Sequence, residues 1–211
     1  TETLNETASL ASNNLARAGR LVESFKQSSI DRHSELSREF NLKNLTEDTA
    51  YNLSHQLKTK SVVVKTICQE DLVLDGRPGL IEQLITNLIG NSIAHGYQSN
   101  GGEISIDWTF NPKNKTIAMQ YHDDGIGIKA EIIDNIFEPF FTSERTGGSG
   151  LGLYICHCIV TQDLNGTIIC ESSKGQGVTF LVNFPLEIDQ QDTIGPRLAD
   201  RVGGWYEISI I

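Results

Sequence analysis

Polar side chains recur along a helix that is predicted near the middle of the chain. They are spaced four residues apart, at Gln83, Asn87, Asn91 and His95. Residues at this spacing share a helix face, and an apolar stripe runs beside them. Asparagine is a poor interior helix residue because its amide competes for backbone hydrogen bonds. The pattern indicates either amides that face a ligand or a metal shell, or amides that cap or bridge neighbouring loops.

Acidic residues and glycines follow the end of a predicted strand. Asp123 and Asp124 close this strand. The next glycines, Gly125 and Gly127, permit a tight backbone path close to a ligand. With Ala130 they also match a loose dinucleotide-binding pattern, but two carboxylates would repel a pyrophosphate, and the flanking strands are predicted to form a hairpin rather than a βαβ unit. An aspartate at a strand end is better suited to accept a hydrogen bond from an exocyclic amine.

A glycine-rich loop is the third feature that could do chemistry. Three aromatic residues precede it, Phe137, Phe140 and Phe141. Its glycines are Gly147, Gly148, Gly150 and Gly152. The loop leads into a predicted helix whose first amides, around Gly150 to Leu153, would face an anion. The sequence lacks GxxxxGK[ST], so this is not a Walker phosphate-binding loop. The segment is predicted to be either a flexible flap that closes over phosphates or a flexible surface loop.

The elements that must position these residues alternate between helix and strand. Helices are predicted over 45–58, 78–95, 129–136 and 150–162. Strands are predicted over 40–42, 61–68, 103–110, 116–122, 167–172 and 178–184. Pro78 presets the first turn of its helix, and Gly96 ends that helix. Helices over one face of a mixed sheet account for this order, so the predicted fold class is α+β, a two-layer sandwich.

The first part of the chain carries a coiled-coil pattern. Apolar residues recur there at spacings of four and three, at Leu4, Ala8, Ala11, Leu15, Ala18, Val22 and Phe25. This spacing is typical of helices that pair in a coiled coil or a four-helix bundle, and a surface helix packed on its own domain is the alternative. The chain begins without Met inside this pattern. We therefore predict one long coiled-coil-like helix, cut from a longer protein.

Composition narrows the classes of function. The net charge of −10 argues against a nucleic-acid partner, since such proteins usually carry a basic face. No apolar run has the length of a membrane span, and no signal peptide opens the chain. The four cysteines lack the spacings of metal sites and disulfide frameworks. The predicted location is cytoplasmic, with reduced thiols, no nucleic-acid partner and no direct membrane contact in this fragment. Anchoring of the full-length protein through an upstream sensor region stays open.

Together the motifs resemble those of the gyrase, Hsp90, histidine kinase and MutL superfamily of ATPases. The string QLITNLIGNSIAHG is similar to its N box, DDGIGI to its first glycine box and GGSGLGL to its second. GQGVTFLVNFP resembles the closing strand, and IFEPFF resembles the F box of histidine kinases. The N-terminal helix is similar to the second helix of their dimerisation and phosphotransfer domain. The resemblance spans about 40–185 and implies the Bergerat-type ATP-binding fold.

The resemblance implies roles for individual residues. Asn91 would coordinate the Mg²⁺ that bridges the ATP phosphates, with Asn87 beside it. Asp123 would accept a hydrogen bond from the adenine amino group. The complete implied nucleotide-binding set is Asn87, Asn91, His95, Asp123, Gly125, Gly127, Ile128, Phe137, Arg145, Gly148, Ser149, Gly150, Leu151, Gly152, Leu153 and Thr179.

Two positions depart from the family pattern. Ala94 stands where many relatives carry a lysine. Phosphate neutralisation must therefore come from elsewhere, with His95 and Arg145 as candidates. His95 is also suited to close the helix before the next glycine. Val178 stands where a small hydroxylated residue is common, so that contact is not carried over.

The resemblance implies a protein histidine kinase that uses ATP and Mg²⁺. It would act as a homodimer through the N-terminal helix and pass its phosphoryl group to the receiver domain of a response regulator. None of its histidines has the sequence context of the phosphoacceptor: His33, His55, His95, His122 and His157. The acceptor helix is therefore expected just upstream of Thr1, and the fragment alone is not expected to phosphorylate itself. An anti-sigma-type serine kinase and a dimeric pseudokinase scaffold are the alternatives.

Four regions are expected along the chain. The second dimerisation helix would span 1–28, a linker 29–38, the ATP-binding domain 39–186 and a tail 187–211. The tail is predicted to be a disordered terminus, a vector-derived extension or an interaction segment.

Overall fold

The computed structural model describes residues 36–68, 72–97, 101–142 and 149–186. The predicted N-terminal helix, most of the predicted linker and the tail after residue 186 lie outside the described residues. Within the described ranges, no helix has both the length and the apolar character that a membrane span requires.

The described chain alternates short helices and strands. The strands are β1 (Arg38–Asn41), β2 (Val62–Cys68), β3 (Val73–Gly76), β4 (Gly102–Asn111), β5 (Thr116–Asp123), β6 (Thr167–Ser172) and β7 (Val178–Pro185). The helices are α1 (Leu42–Asn52), α2 (Ser54–Thr59), α3 (Pro78–Asn91), α4 (Ala130–Ile133) and α5 (Gly152–Cys158). Wider π-helical turns extend α3 over Ser92–Gly96 and α5 over Ile159–Asp163.

The strands form a mixed sheet and a small separate ladder. The five-stranded sheet has the order β2-β4-β5-β7-β6. In it β2 lies parallel to β4, and the other neighbouring strands are antiparallel. The separate ladder joins β1 and β3 in antiparallel register. A parallel pair needs a crossover connection, and α3 lies in the one between β2 and β4.

Alternation along the central strands gives the sheet one apolar face. On β5 the side chains of Ile117, Met119 and Tyr121 are buried, whereas those between them are more exposed. Helix α3 contacts both α1 and α5, and its buried side chains belong to the same core as the inner face of the sheet. The predicted α+β class, with helices over one face of a mixed sheet, is confirmed.

Local sequence fixes where the helices begin and how they are held on the sheet. Asn41 caps α1, because its Oδ1 accepts a hydrogen bond from Asn44 N at 2.9 Å. Pro78 occupies the start of α3, where a missing N–H has no helical partner to lose. The buried indole of Trp108 donates from Nε1 to Thr46 Oγ1 at 3.0 Å, which joins β4 to α1 without an unpaired polar atom.

The observed limits differ from the predicted ones in a few places. The single helix predicted over 45–58 is two helices, because the chain bends at Leu53. β3 has no counterpart among the predicted strands, since four residues are too few to show an alternation. β1 begins at Arg38, the last residue of the predicted linker. Helix α5 begins at Gly152 rather than Gly150, whose φ of +67° is not helical.

Candidate functional site

A cavity of about 310 Å³ lies between the end of α3, the end of β5 and the start of α5. Its inner wall contains Asp123, and the strand alternation explains why. The buried positions of β5 face the helices, and the last of them is Asp123 rather than an apolar residue. Val178 and Phe180 of β7 extend the same wall. The apolar face of the sheet therefore ends in a carboxylate at the cavity.

Asp123 is held on its protein side by two hydrogen bonds. Only 2% of the residue is exposed. Ser92 Oγ donates to its Oδ2 at 2.5 Å, and Gly125 N donates to its Oδ1 at 3.0 Å. These donors compensate for the burial of the carboxylate. A carboxylate has about four acceptor positions, so some remain for a ligand in the cavity.

Helix α3 ends in a turn that is wider than an α-helical one. Tyr97 N donates to Ser92 O at 3.2 Å, a bond that spans five residues instead of four. Such π-helical turns are rare and frequently occur at functional sites. At this end of the helix Ser92 bonds Asp123 of β5, and Ser92, Ala94 and His95 all line the cavity.

Asn91 is the last residue of α3 and lines the cavity. Its Nδ2 is buried and has no hydrogen-bond partner among the described residues. Gly152, the first residue of α5, faces it: a Cβ on Gly152 would lie 3.4 Å from both Nδ2 and Oδ1 of Asn91. Buried amides are nearly always paired, so this side chain is a donor and acceptor that is open to a ligand.

The loop after β5 fits closely against the turn between β6 and β7. Ile128 N donates to Ser172 Oγ at 2.8 Å. Gly127 precedes it with a φ of +70°, and a Cβ there would collide with the carbonyl oxygen of Ser173. Glycine is therefore required by both the conformation and the lack of space. This fit places the backbone of Gly127 in the cavity wall.

Aromatic residues lie where the glycine-rich segment begins. The Phe137 ring contacts those of Phe180 and His157, with centroid distances of 6.2 and 5.6 Å. Phe140 has a φ of +66°, which is a strained value for a residue with a side chain. Gly150 approaches the Phe140 backbone so closely that a Cβ would collide with it. These two residues hold the ends of the segment together, while 143–148 lies outside the described residues.

A family profile described as "Histidine kinase-, DNA gyrase B-, and HSP90-like ATPase" matches residues 76–188. This match covers more than half of the chain and contains every residue that lines the cavity. The chain belongs to this family.

The similar proteins that follow are histidine kinases. The chain is 40% identical over 116 residues to hybrid signal transduction histidine kinase L of Dictyostelium discoideum. The alignment covers 51% of the chain and 7% of that protein. The catalytic domain of histidine kinase ThkA shares 25% identity and a TM-score of 0.61, over 72% of the chain and 96% of that domain. ThkA solved in complex with the response regulator protein TrrA gives 24% identity and a TM-score of 0.62, over 89% of the chain and 52% of that chain.

The cavity gathers most of the residues that the sequence predicts to bind nucleotide. Those that line it are Asn91, His95, Asp123, Gly127, Ile128, Ser149, Gly150, Gly152 and Leu153. Three others lie behind its wall, where Gly125 bonds Asp123, Phe137 packs on Phe180 and Leu151 is buried. Arg145 and Gly148 lie outside the described residues.

Two predicted residues do not reach the cavity. Thr179 alternates with Val178, so it points to the opposite face of the sheet, where its Oγ1 lies 3.0 Å from His122 Nδ1. Asn87 precedes Asn91 by about one turn and lies against the Cys156 thiol of α5, whose pKa is raised by burial. Thr179 thus lies on the outer face of the sheet and Asn87 lies between helices, and their contact with a nucleotide stays a prediction.

Several cavity residues have no counterpart in the predicted set. Ile132 and Ile136 line the cavity and are spaced four apart, a helix-face signal that the sequence did offer. Ser92 also lines it. A regular α-helix turns consecutive residues by about 100°, so nothing in the spacing places Ser92 beside Asn91 on the ligand side.

Charge in the cavity is sparse. Among the described residues that line it, the ionisable side chains are those of Asp123 and His95, and none is a lysine or arginine. No group of three or more His, Cys, Asp or Glu within the described ranges is placed to hold a metal ion. A polyphosphate bound here would therefore depend on a cation that arrives with it, on His95, or on residues outside the described ranges.

Proposed function

We propose that this chain is the catalytic part of a sensor histidine kinase. It binds ATP with Mg²⁺ in the cavity and transfers the γ-phosphoryl group to a histidine on a dimerisation helix outside this sequence. The observation that carries the proposal is the Asp123 carboxylate, buried at the end of β5 and held by protein donors on one side only. Such a carboxylate accepts a hydrogen bond from the amino group of adenine and repels the carbonyl oxygen of guanine.

Asn91 suits the phosphate and metal end of the ligand. Its amide oxygen is a hard ligand of the kind that Mg²⁺ takes, usually one or two protein groups beside phosphates and several waters. Its Nδ2, which lacks a partner among the described residues, can donate to a phosphate oxygen. When bound, Mg²⁺ supplies charge neutralisation at the transferred phosphoryl group. Gly152 leaves open the space in front of this amide that a side chain would fill.

The chain's own residues position the nucleotide rather than react with it. Phosphoryl transfer depends mainly on positioning and on stabilisation of charge. Asp123 fixes the base, Asn91 orients the phosphates, and Gly150 and Gly152 leave the backbone accessible at the cavity wall. Apolar residues such as Ile128 and Phe180 exclude water from the base.

The partners follow from the same proposal. The coiled-coil seam predicted over 1–28 would form a homodimer and bring an acceptor helix to the site. A response regulator receiver domain would then take the phosphoryl group, as the solved complex of ThkA with a response regulator suggests. Within the described ranges the cysteines form no disulfide bond, which supports the cytoplasmic location that we propose.

Calorimetric titration with ATP, ADP and GTP in the presence of Mg²⁺ tests the nucleotide site. ATP and ADP are expected to bind, and GTP to bind at least about tenfold more weakly because its carbonyl oxygen leaves Asp123 unpaired. Equal affinities for ATP and GTP would show that the base pocket is misplaced.

Incubation with γ-labelled ATP tests the transfer. The chain alone is expected to hold no stable label, and adding the helix encoded upstream, in cis or as a separate peptide, is expected to yield an acid-labile, base-stable phosphohistidine. Stable label on any histidine of this chain would place the acceptor here instead. Label on a serine of a partner would favour the serine-kinase alternative.

A further inference from the structure

We propose that Ser92 and Tyr121 are positioning residues that set the preference of the cavity for adenine by holding the Asp123 carboxylate from behind. The inference rests on the proposed function of the cavity as an ATP site. Neither residue belongs to the predicted nucleotide-binding set. Ser92 is 4% exposed and Tyr121 is fully buried, so both belong to the interior of the domain.

The three side chains form a hydrogen-bonded chain with a defined direction. Ser92 Oγ lies 2.5 Å from Asp123 Oδ2 and 2.7 Å from the Tyr121 hydroxyl. An ionised carboxylate only accepts hydrogen bonds, and a serine has one proton to donate. Ser92 therefore donates to Asp123, and Tyr121 donates to Ser92. The hydrogen bonds are therefore donated from Tyr121 in the core, through Ser92, to the Asp123 carboxylate.

Each member of this chain is anchored independently. Ser92 sits in the π-helical turn, where its carbonyl accepts from Tyr97 N. Tyr121 is fixed in β5 between Ile106 of β4 and Phe180 of β7, and its ring lies 6.1 Å from that of Phe180. Burial raises the pKa of Tyr121, and the charge of Asp123 raises it further, so its hydroxyl keeps the proton that it donates.

The anchoring affects recognition of the base. Ser92 donates to Oδ2 and Gly125 N donates to Oδ1, so the carboxylate cannot rotate. Its remaining acceptor positions therefore have a fixed orientation toward the cavity. The Ser92 hydroxyl is also engaged, so it cannot turn to donate to a purine carbonyl oxygen. The arrangement favours a base that donates at this position and disfavours one that accepts.

The test compares ATP with inosine triphosphate, which differs at the purine 6-position and carries the same phosphates. Ser92→Ala is expected to weaken ATP binding about tenfold, the loss typical of a hydrogen bond to a charged group, and to weaken inosine triphosphate binding less. Tyr121→Phe keeps the ring and removes the donor, and a smaller loss for ATP is expected. The double variant is expected to bind ATP no more weakly than Ser92→Ala, because Tyr121 reaches Asp123 only through Ser92.

Thr46→Val is the matched control. It removes another buried hydroxyl, which bonds Trp108 Nε1 and Leu42 O away from the cavity, and is expected to lower stability without changing the ratio of the two affinities. Equal losses for both nucleotides in Ser92→Ala and in Tyr121→Phe would overturn the inference and leave the ATP site standing. Failure of the unmutated chain to bind ATP would overturn both.

Discussion

At the scale of single residues, two neighbouring aspartates at the cavity have different environments. Asp123 is buried with acceptor positions toward the cavity, whereas Asp124 is exposed and its Oδ1 accepts from Glu103 N at 2.7 Å. Residue type and spacing do not distinguish them, and only the family resemblance assigns the base contact to Asp123. Strand alternation distinguishes them, because only one of two consecutive residues on β5 can face the helices.

Asp123→Asn is expected to abolish the preference for ATP over GTP while the domain stays folded. An amide can donate to the guanine carbonyl oxygen as readily as it accepts from the adenine amine, so the discrimination of about tenfold or more is lost. Calorimetric titration of both nucleotides measures it. Asp124→Asn is the matched control. A similar loss of preference in that variant would show that Asp123 has been wrongly assigned as the base contact.

Asn91→Ala is expected to remove most of the Mg²⁺ dependence of nucleotide affinity. The substitution deletes the amide oxygen proposed as a metal ligand, while the base contact to Asp123 remains. Affinity for ADP measured with Mg²⁺ and with a chelator gives the dependence. Asn44→Ala, which removes an exposed amide from α1, is the control and should behave like the unmutated chain. Unchanged metal dependence in Asn91→Ala would make Asn91 a structural residue.

The structure brings predicted residues to the cavity where their chemistry and their local position coincide. Asn91 and Asp123 stand at the ends of regular elements, and the motifs alone place them at a cavity. Thr179 lies on the face away from the cavity, and the sequence could not reveal this because it shows a strand without showing which of its side chains face the helices. Ser92 was missed because it lies outside the spacing of four that links Asn87, Asn91 and His95, and its hydrogen bond to Asp123 of β5 is a tertiary contact that leaves no local signal.

At the scale of elements, the loop after β5 depends on a glycine that has no room for a side chain. Gly127 and Gly175 both have positive φ angles, +70° and +84°. A Cβ on Gly127 would collide with the Ser173 carbonyl, whereas nothing lies within 4 Å of one on Gly175. Comparing the two glycines therefore separates the backbone strain of a positive φ from the steric collision of an added Cβ.

Gly175→Ala is expected to lower the free energy of unfolding by about 1–2 kcal/mol, the strain of a left-handed conformation alone. Gly127→Ala is expected to lower it further, on the order of 3 kcal/mol in total, because the β6–β7 turn must also move. It is also expected to weaken ATP binding, since Gly127 is in the cavity wall. Urea denaturation and ATP titration of both variants measure these effects, and equal stabilities would refute the close fit.

The order of most elements could be predicted, since apolar alternation and helical periodicity survive in the long strands and in α3. The limits that were missed depend on single residues. Leu53 splits a continuous helical pattern into α1 and α2, and Gly150 keeps the backbone non-helical at the start of the predicted helix. β3 was not predicted because its four residues are too few to show an alternation, although its partner β1 corresponds to the strand predicted over 40–42.

At the scale of the whole molecule, the two faces of the sheet differ in how well polar groups are satisfied. The inner face ends in Asp123, each of whose carboxylate oxygens accepts a hydrogen bond from the protein. The outer face carries Asp107, whose Oδ1 is buried without a hydrogen-bond partner among the described residues. Burial raises the pKa of Asp107, and the nearby His122 lowers it by less.

Asp107→Asn is expected to stabilise the domain at neutral pH. Because the pKa of Asp107 is raised on folding, its protonated form is favoured in the native state, and that contribution is lost as the pH rises through the raised value. The variant carries no charge to bury, so its melting temperature should exceed that of the parent at neutral pH and match it near about pH 3. Asp48→Asn, on the exposed face of α1, is the control. A gain that persists unchanged in acid would rule out this cause.

The parallel pairing of β2 with β4 also has a consequence for how the domain folds. Val62 pairs with Gly102 and Cys68 with Trp108, so the chain must travel the length of the sheet before β4 can dock. The polypeptide between them includes α3, which ends at Asn91. The loop-closure entropy of this long connection must be lost before the strand pairs contribute, which slows the search relative to hairpin closure. Because Asn91 in this connection lines the cavity, we expect the wall formed by α3 to assemble together with the β2–β4 pair.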